Sequence, residues 1–410
     1  GGNSGQTLKI DDIDITYTGL YTKAENRFLF FTDSHNKNTD NIWDITNKTQ
    51  ITLKGQNTIM FGVQYHGSTT DTTAGNSGMI NNGIIIADST PVAGTTPGNR
   101  IIFTTIESFP NKTKYNYGND NRKLYFTNKN SVEVDGINDV IGNFASPANQ
   151  IVTNGSNGGT IFTNNGTMKV NGLNGIGIVI QDKGAESTIT NFSQSAVLFN
   201  KPLQLLGDNS IGFYSKNSAF ANNMALSKLN ITIGNEENKA GSSGNKSGGD
   251  AGFVEGATAI YTDRATFTVN ASNGADTEAG IHNLVFGNYA KESSFIRADG
   301  GEITVTGLLD VNTGKYNVGI ISAGLANDTG TVVTGSGKTV LASGATLKVS
   351  GDNTNNAAAY VQDKGIFTNE GLIQVTGAGT NGVITNKNIE KGNIVNKGTI
   401  EKENNGAAVV

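Results

Sequence analysis

Cysteine is absent from the 410-residue chain, which removes disulfide scaffolds, thiolate metal sites and cysteine nucleophiles together. Proline (5), methionine (4), histidine (3) and tryptophan (1) are scarce. No run of about 18 apolar residues occurs, so the sequence holds no candidate transmembrane helix. Charged residues make up 16% of the chain, well below the roughly 25% of ordinary soluble domains. The net charge of -5 gives no basic footprint for nucleic acid. Runs of Ala, Leu, Glu and Lys are missing, which argues against a helical enzyme. The start, Gly1-Gly2-Asn3-Ser4-Gly5, has neither the basic nor the apolar region of a signal peptide, although one could have been removed.

Glycine and asparagine are plentiful, 54 of each. Glycine shows no strict three-residue period, which excludes collagen. A hydrophobic share of 36%, rich in Ile and Val, argues against wholesale disorder. The Gly and Asn are ordered by a repeat. Gly344-Ala-Thr-Leu-Lys-Val-Ser-Gly, Gly371-Leu-Ile-Gln-Val-Thr-Gly and Gly398-Thr-Ile-Glu-Lys recur at equal spacings of 27 residues. Gly166-Thr-Met-Lys-Val-Asn-Gly and Gly301-Glu-Ile-Thr-Val-Thr-Gly carry the same phrase. Each reads as a short strand of alternating apolar and polar residues between turns. Ile373 and Val375, with Val349 and Val305, are expected to face a core; Leu372, Gln374 and Thr376 face away. A second strand follows each first one, as at Gly175-Ile-Gly-Ile-Val-Ile and Asn317-Val-Gly-Ile-Ile-Ser. A third recurs at Ile161-Phe-Thr-Asn-Asn-Gly and Ile366-Phe-Thr-Asn-Glu-Gly.

Short strands at this period without helical spacers predict an all-β chain, a right-handed single-stranded parallel β-helix (solenoid) with loop insertions and an N-terminal β cap. One coil cannot bury its inward side chains; stacking buries them as a column. Asparagine suits the corners because it tolerates the left-handed conformation and because its amide can hydrogen-bond from coil to coil. The Asn-x-Gly steps at Asn81, Asn164, Asn369 and Asn396 fit that role. The pattern predicts a cap or irregular β segment over 1–60 and a β-helix over 61–410. Insertions are expected at about 92–150, rich in Pro, charge and aromatics, and at 233–256, a polar low-complexity stretch.

Motifs that resemble chemistry have structural explanations. Gly335-Ser-Gly-Lys-Thr339 approaches a phosphate-binding loop, but Val332 stands where its first Gly is required and a strand follows instead of a helix. Gly377, Gly379 and Gly382 form a G-x-G-x-x-G that leads into another strand. His35, His66 and His282 share no metal-ligand spacing, and no G-x-S-x-G elbow supports a serine triad. Carboxylate candidates for sugar cleavage are Asp11, Asp12 and Asp14, Glu236 and Glu237, and Asp263 beside Arg264. None recurs at coil spacing, and Trp43 is the sole tryptophan for a sugar platform. Phe109, Tyr115, Tyr117, Arg122 and Tyr125 interleave aromatic and basic side chains in one stretch, the composition of a partner-binding surface.

The Gly-x-Ile-x-Val-x-Gly strands, the Asn-x-Gly corners, the missing Cys and the Asn/Lys/Ile bias resemble passenger domains of type V autotransporters. The likeness covers about residues 75–410 and is closest to the large fusobacterial outer-membrane adhesins, of the arginine-inhibitable RadD type and the galactose-inhibitable type. It implies a non-enzymatic adhesin fragment at the bacterial surface, anchored in the outer membrane by a C-terminal β-barrel that this chain lacks. It implies attachment to a bacterial or host-cell protein or glycan, through loops on a β-helical stalk, with no cofactor or metal, and carries over no individual functional residue. A monomer is expected, and a fragment of a longer passenger, since the chain stops inside a coil. A secreted β-helix polysaccharide lyase or hydrolase is the alternative.

Overall fold

The computed structural model describes residues 6–20, 28–33, 41–64, 77–92, 95–106, 115–116, 123–146, 150–151, 159–182, 195–216, 224–238, 252–272, 278–326, 333–386, 389–390, 393–403 and 407–409. Throughout these the chain is a parallel β-helix, with short strands stacked in register rung on rung. The described rungs fall into two compact units, divided after Leu203.

In the first unit each rung contributes a strand to three walls. Gln6–Ile10, Asn41–Ile45, Ser77–Asn81, Lys123–Asn128, Gly159–Asn164 and Ala196–Phe199 stack as the first wall. Asp14–Leu20, Gln50–Gln56, Ile84–Ala87, Ser131–Val134 and Thr167–Val170 form the second. Phe28–Asp33, Ile59–Gln64, Ile101–Ile106, Val140–Ser146 and Ile176–Asp182 form the third. A cap was expected over 1–60; the described strands of 6–20, 28–33 and 41–64 instead supply two rungs to the three walls. The stretch 92–150, expected as an insertion, carries strands of all three walls. Lys123 and Tyr125 made it look like a basic-aromatic loop, but they alternate with Leu124 and Phe126, which are buried.

Stacking is what buries the inward residues. One inward column of the first wall runs through Leu8, Trp43, Met79, Phe126 and Phe162. Leu8, in the first described rung, is 51% exposed, whereas Met79, Phe126 and Phe162 are fully buried. Phe126 meets Phe61, Phe103 and Phe144 of the third wall at centroid distances of 6.0, 5.9 and 5.0 Å, all tilted or edge-on. Such offset aromatic pairs contribute about 0.5–1.5 kcal/mol each beyond the area they bury.

The corner between first and second walls is two residues long in three successive rungs of this unit: Asn82-Gly83, Lys129-Asn130 and Asn165-Gly166. A column of fully buried asparagines precedes it. The amide of Asn81 donates to Asn128 Oδ1 (2.9 Å) and to the Ser131 carbonyl, and Asn128 donates to Asn164 Oδ1 (2.8 Å) and to the Thr167 carbonyl. Asn81 Oδ1 also accepts from Gly83 N, closing the turn. The second-to-third corner uses asparagine differently. Asn57, Asn99, Asn138 and Asn174 have φ between 53° and 58°, a left-handed conformation that Asn tolerates better than most residues.

In the second unit the third wall runs through Ile211–Lys216, Thr258–Thr262, Ser294–Ala298, Val318–Ser322, Ala357–Val361, Asn381–Thr385 and Ala407–Val409. Its inward column Phe213, Ile260, Ile296, Ile320, Ala359 and Val383 is fully buried. The strand Glu302–Val311 turns a corner at Gly307: its first half pairs with Lys338–Leu341 and its second with Thr346–Val349. Gly307 has φ 77°, and a Cβ there would collide with the Ala271 carbonyl. The amide ladder recurs as Asn369 donating to Asn396 Oδ1 at 2.8 Å. Residues 239–251 of the expected 233–256 loop lie outside the described residues; Val254–Glu255 pairs with Ala290–Lys291 in a small parallel ladder.

Ile373, Val375, Val349 and Val305 all face the core and are fully buried, while Thr376 is partly exposed. Val375→Asp places an unpaired carboxylate among apolar neighbours and is expected to cost about 3–5 kcal/mol. Thr376→Asp is expected to cost less than about 1 kcal/mol. Denaturant titration of both variants checks the assigned facing, and the reverse order would place the strand one residue out of phase.

Candidate functional site

The binding residues expected from sequence do not come together as one described cluster. Phe109, Tyr117 and Arg122 lie outside the described residues. Tyr115 lies in the short strand Tyr115–Asn116, which pairs in parallel with Gln150–Ile151. Tyr125 belongs to the first wall, half-buried on its outer side, with Ile161 and Gly78 in the neighbouring rungs.

That short pair lies at the third corner. In the first unit, segments 34–40, 65–76, 107–122, 147–158 and 183–194 each join the third wall of one rung to the first wall of the next, and apart from Tyr115–Asn116 and Gln150–Ile151 they lie outside the described residues. Tyr115–Asn116 and Gln150–Ile151 belong to consecutive excursions, so rung-on-rung pairing extends beyond the three walls. In the second unit the same corner carries the antiparallel hairpin Gly324–Ala326 with Val333–Ser336.

The motifs with chemical appearance fall into structural places. Gly335, Gly337 and Thr339 belong to that hairpin and the strand after it; Thr339 is fully buried, with its hydroxyl against Ser322 Oγ. Gly379 turns a corner at φ 74°. Asp11 accepts from Thr46 Oγ1, and Asp12 lies 4.0 Å from Lys48 Nζ on the exposed surface. Among the described residues, no group of three His, Asp or Glu side chains is arranged to hold a metal ion. Arg100 and Asp139, both fully buried, form an ion pair at 2.7 Å. Arg100 also donates to the carbonyls of Leu53 and Asp88, and Asp139 accepts from Gly136 N. With its polar atoms bonded in this way, the pair pins the corner and has no spare capacity for a substrate.

Sequence reasoning missed an outward column on the third wall of the second unit. Tyr214, Tyr261, Arg297, Ile321, Tyr360 and Ile384 occupy one register position in successive rungs, all half-buried. The rings of Tyr214 and Tyr261 lie 4.8 Å apart. Tyr214 Oη donates to Asp263 Oδ2, and Tyr261 Oη to Asp299 Oδ2 (3.1 Å), which Arg297 also contacts. Burial, reinforced by these carboxylates, pushes both phenol pKa values up. Both tyrosines therefore stay protonated, as hydrogen-bond donors to the two aspartates. The only available signal was the shared spacing of Tyr261-Thr-Asp263 and Arg297-Ala-Asp299, whose meaning is invisible until the rungs are aligned.

His282 is the other group the sequence left unexplained. It points into the core, where Nδ1 accepts from Leu229 N at 3.1 Å and Nε2 has no partner. Burial holds its pKa down at about 4. No family model, curated protein or solved structure matches the chain.

The depressed pKa of His282 sets a pH dependence. The unfolded chain protonates near pH 6.5 and the native state near 4, so between them the unfolded state binds more protons. Stability contributed by neutral His282 is complete above pH 6.5 and is lost as pH falls toward 4, by about 3 kcal/mol. Denaturant titrations across this window are expected to show that loss in the native chain. In His282→Gln, which retains an acceptor for Leu229 but does not titrate, the loss is reduced by that amount.

Proposed function

We propose that the chain is part of a cell-surface adhesin that attaches to other bacteria or to host cells through the excursions of its β-helix. The observation that carries this reading is the pairing of Tyr115–Asn116 with Gln150–Ile151, in consecutive segments that join the third wall of one rung to the first wall of the next. Stacked rungs give a regular frame whose walls tolerate little change, because each inward residue is packed by the rungs beside it. Excursions at a corner leave that frame intact and are free to carry large amphipathic side chains. Binding in solenoids concentrates on such per-repeat insertions. Phe109, Tyr115, Tyr117 and Arg122 all fall within 107–122 and supply anchors of the type that dominate interfaces. The low charge, the absence of cysteine and the likeness to autotransporter passengers support a position outside the bacterial cell, tethered to the outer membrane in the complete protein.

The wall strands narrow the test. Replacing 107–122 by a short Gly-Ser turn keeps Ile101–Ile106 and Lys123–Asn128, and the same replacement at 239–251 serves as comparison. Beads coated with each variant are assayed for attachment to bacterial and epithelial cells after circular dichroism confirms the fold. Loss of 107–122 is expected to reduce attachment at least fivefold and loss of 239–251 to change it little. Equal attachment by the 107–122 replacement and the intact chain would remove this excursion from the binding surface.

A further inference from the structure

His282 is the one histidine among the described residues, and it is fully buried in the second unit. It opens the strand His282–Phe286, which pairs with Asn230–Ile233 from Asn283 opposite Asn230 to Phe286 opposite Ile233. Two hydrogen bonds fasten the start of that ladder. The Leu229 N–H donates to His282 Nδ1 at 3.1 Å, and the Asn283 N–H donates to the Leu229 carbonyl at 2.7 Å. In the first of these the acceptor is a titratable side chain.

An imidazole nitrogen that accepts a hydrogen bond carries no proton, so the ring is the neutral tautomer with its hydrogen on Nε2. A further proton goes to Nδ1 and there meets the Leu229 N–H. The contact changes from donor and acceptor to donor against donor, which strands both groups in the core and adds a buried charge. The charged residues of the surrounding described segments are Lys228 before Leu229, Glu278 before the ring, and Glu302 and Asp310 of Glu302–Val311. Thr266–Ser272, which meets the ring's strand where Ala271 lies opposite His282, has no charged residue, and Asp276 lies outside the described residues. None of the described charges moves the His282 pKa, which burial alone lowers. Protonation and the closed ladder therefore exclude each other.

We propose that His282 is an acid-operated latch, whose protonation frees the His282 end of the strand His282–Phe286 from Leu229–Ile231 while the rest of the unit stays folded. The release is local for two reasons. At the far end of the strand Phe286 lies flat on Phe295, with ring centroids 3.8 Å apart, so the strand opens from the His282 end. The third wall is held by its own ladder and by the buried column Ile260, Ile296 and Ile320, which do not use the ring. What opens is apolar: Leu284 lies opposite Ile231, and both are buried in the closed state. Acid thus uncovers an apolar surface at one place in the wall. The latch is a local event distinct from the overall loss of stability with acid, and it does not rest on the adhesive reading.

Native-state hydrogen exchange of the 410-residue chain reads the latch directly. The opened ring titrates near the ordinary 6.5 and the closed ring near 4, so between about pH 7 and pH 4.5 the open form gains on the order of a hundredfold. Protection at the Leu229 and Asn283 amides, corrected for the intrinsic rate, is expected to fall by that factor. Low urea is expected to leave their exchange unchanged, the mark of a local opening. The amides of Val318 and Ala357, which donate to the Ser293 and Asn317 carbonyls in the third wall, are expected to exchange through urea-sensitive unfolding. His282→Gln keeps an acceptor for Leu229 but takes up no proton, and the fall is expected to vanish in it. Three results would overturn the proposal: unchanged protection at Leu229 between the two pH values, a fall that His282→Gln retains in full, or a urea dependence at Leu229 equal to that at Val318. The first and third are measured on the native chain, so they decide the matter even where the variant does not fold.

Discussion

The constraint on which the rest depends is the vertical hydrogen bond between identical positions of neighbouring rungs. Parallel stacking at about 4.8 Å sets each side chain directly over its counterpart, so every position becomes a column and every column needs chemistry that repeats. Apolar columns solve this by dispersion and burial. A polar column in the core has only one inexpensive solution, a side chain that both donates and accepts along the stack. The amide of asparagine is that group, and Asn81, Asn128 and Asn164 use both of its ends. Aspartate in the same column would set like charges one rung apart, and leucine would leave the corner carbonyls of Ser131 and Thr167 without their donor.

The three corners follow from how strictly each is held. The ladder fixes the first corner at two residues in every rung that has it. Left-handed asparagines shape the second. The third corner of the first unit has no comparable asparagine column among the described residues, and the segments that join the rungs there differ in length. Variation is tolerated where no such column repeats, which joins the fold to the proposed function. The outward tyrosines and Arg297 of the second unit obey the stacking rule in another way: a half-buried column is stabilised by ring contacts and by carboxylates of the adjoining turns.

Much of this was legible in the sequence because columns leave a period. Asn369-Glu-Gly and Asn396-Lys-Gly, with Ile373 and Val375 in phase, announced both corner and core. Asn128 escaped notice because its corner reads Asn-Lys-Asn, so the amide is kept while the glycine is not. The strand Lys123–Asn128 was hidden by the polar and aromatic residues around it in the sequence, although Leu124 and Phe126 keep the alternation. The first two rungs were hidden because Asp12, Asp14 and the outward threonines give the segment the look of an exposed edge. The tyrosine column could not be seen at all: it depends on which strand lies over which, and connecting segments of unequal length destroy the regular spacing that would reveal it.

The most direct measurement is a double-mutant cycle on the ladder itself. Asn128→Leu and Asn164→Leu are made singly and together, and stability is read from denaturant midpoints. If the amide-to-amide bond holds adjacent rungs in register, each single change strands the other's buried group. The double variant should then lose at least about 1 kcal/mol less than the two single losses combined, a coupling typical of residues in contact. Losses that add within about 0.5 kcal/mol would mean that the two asparagines act separately and that the ladder does not set the rungs.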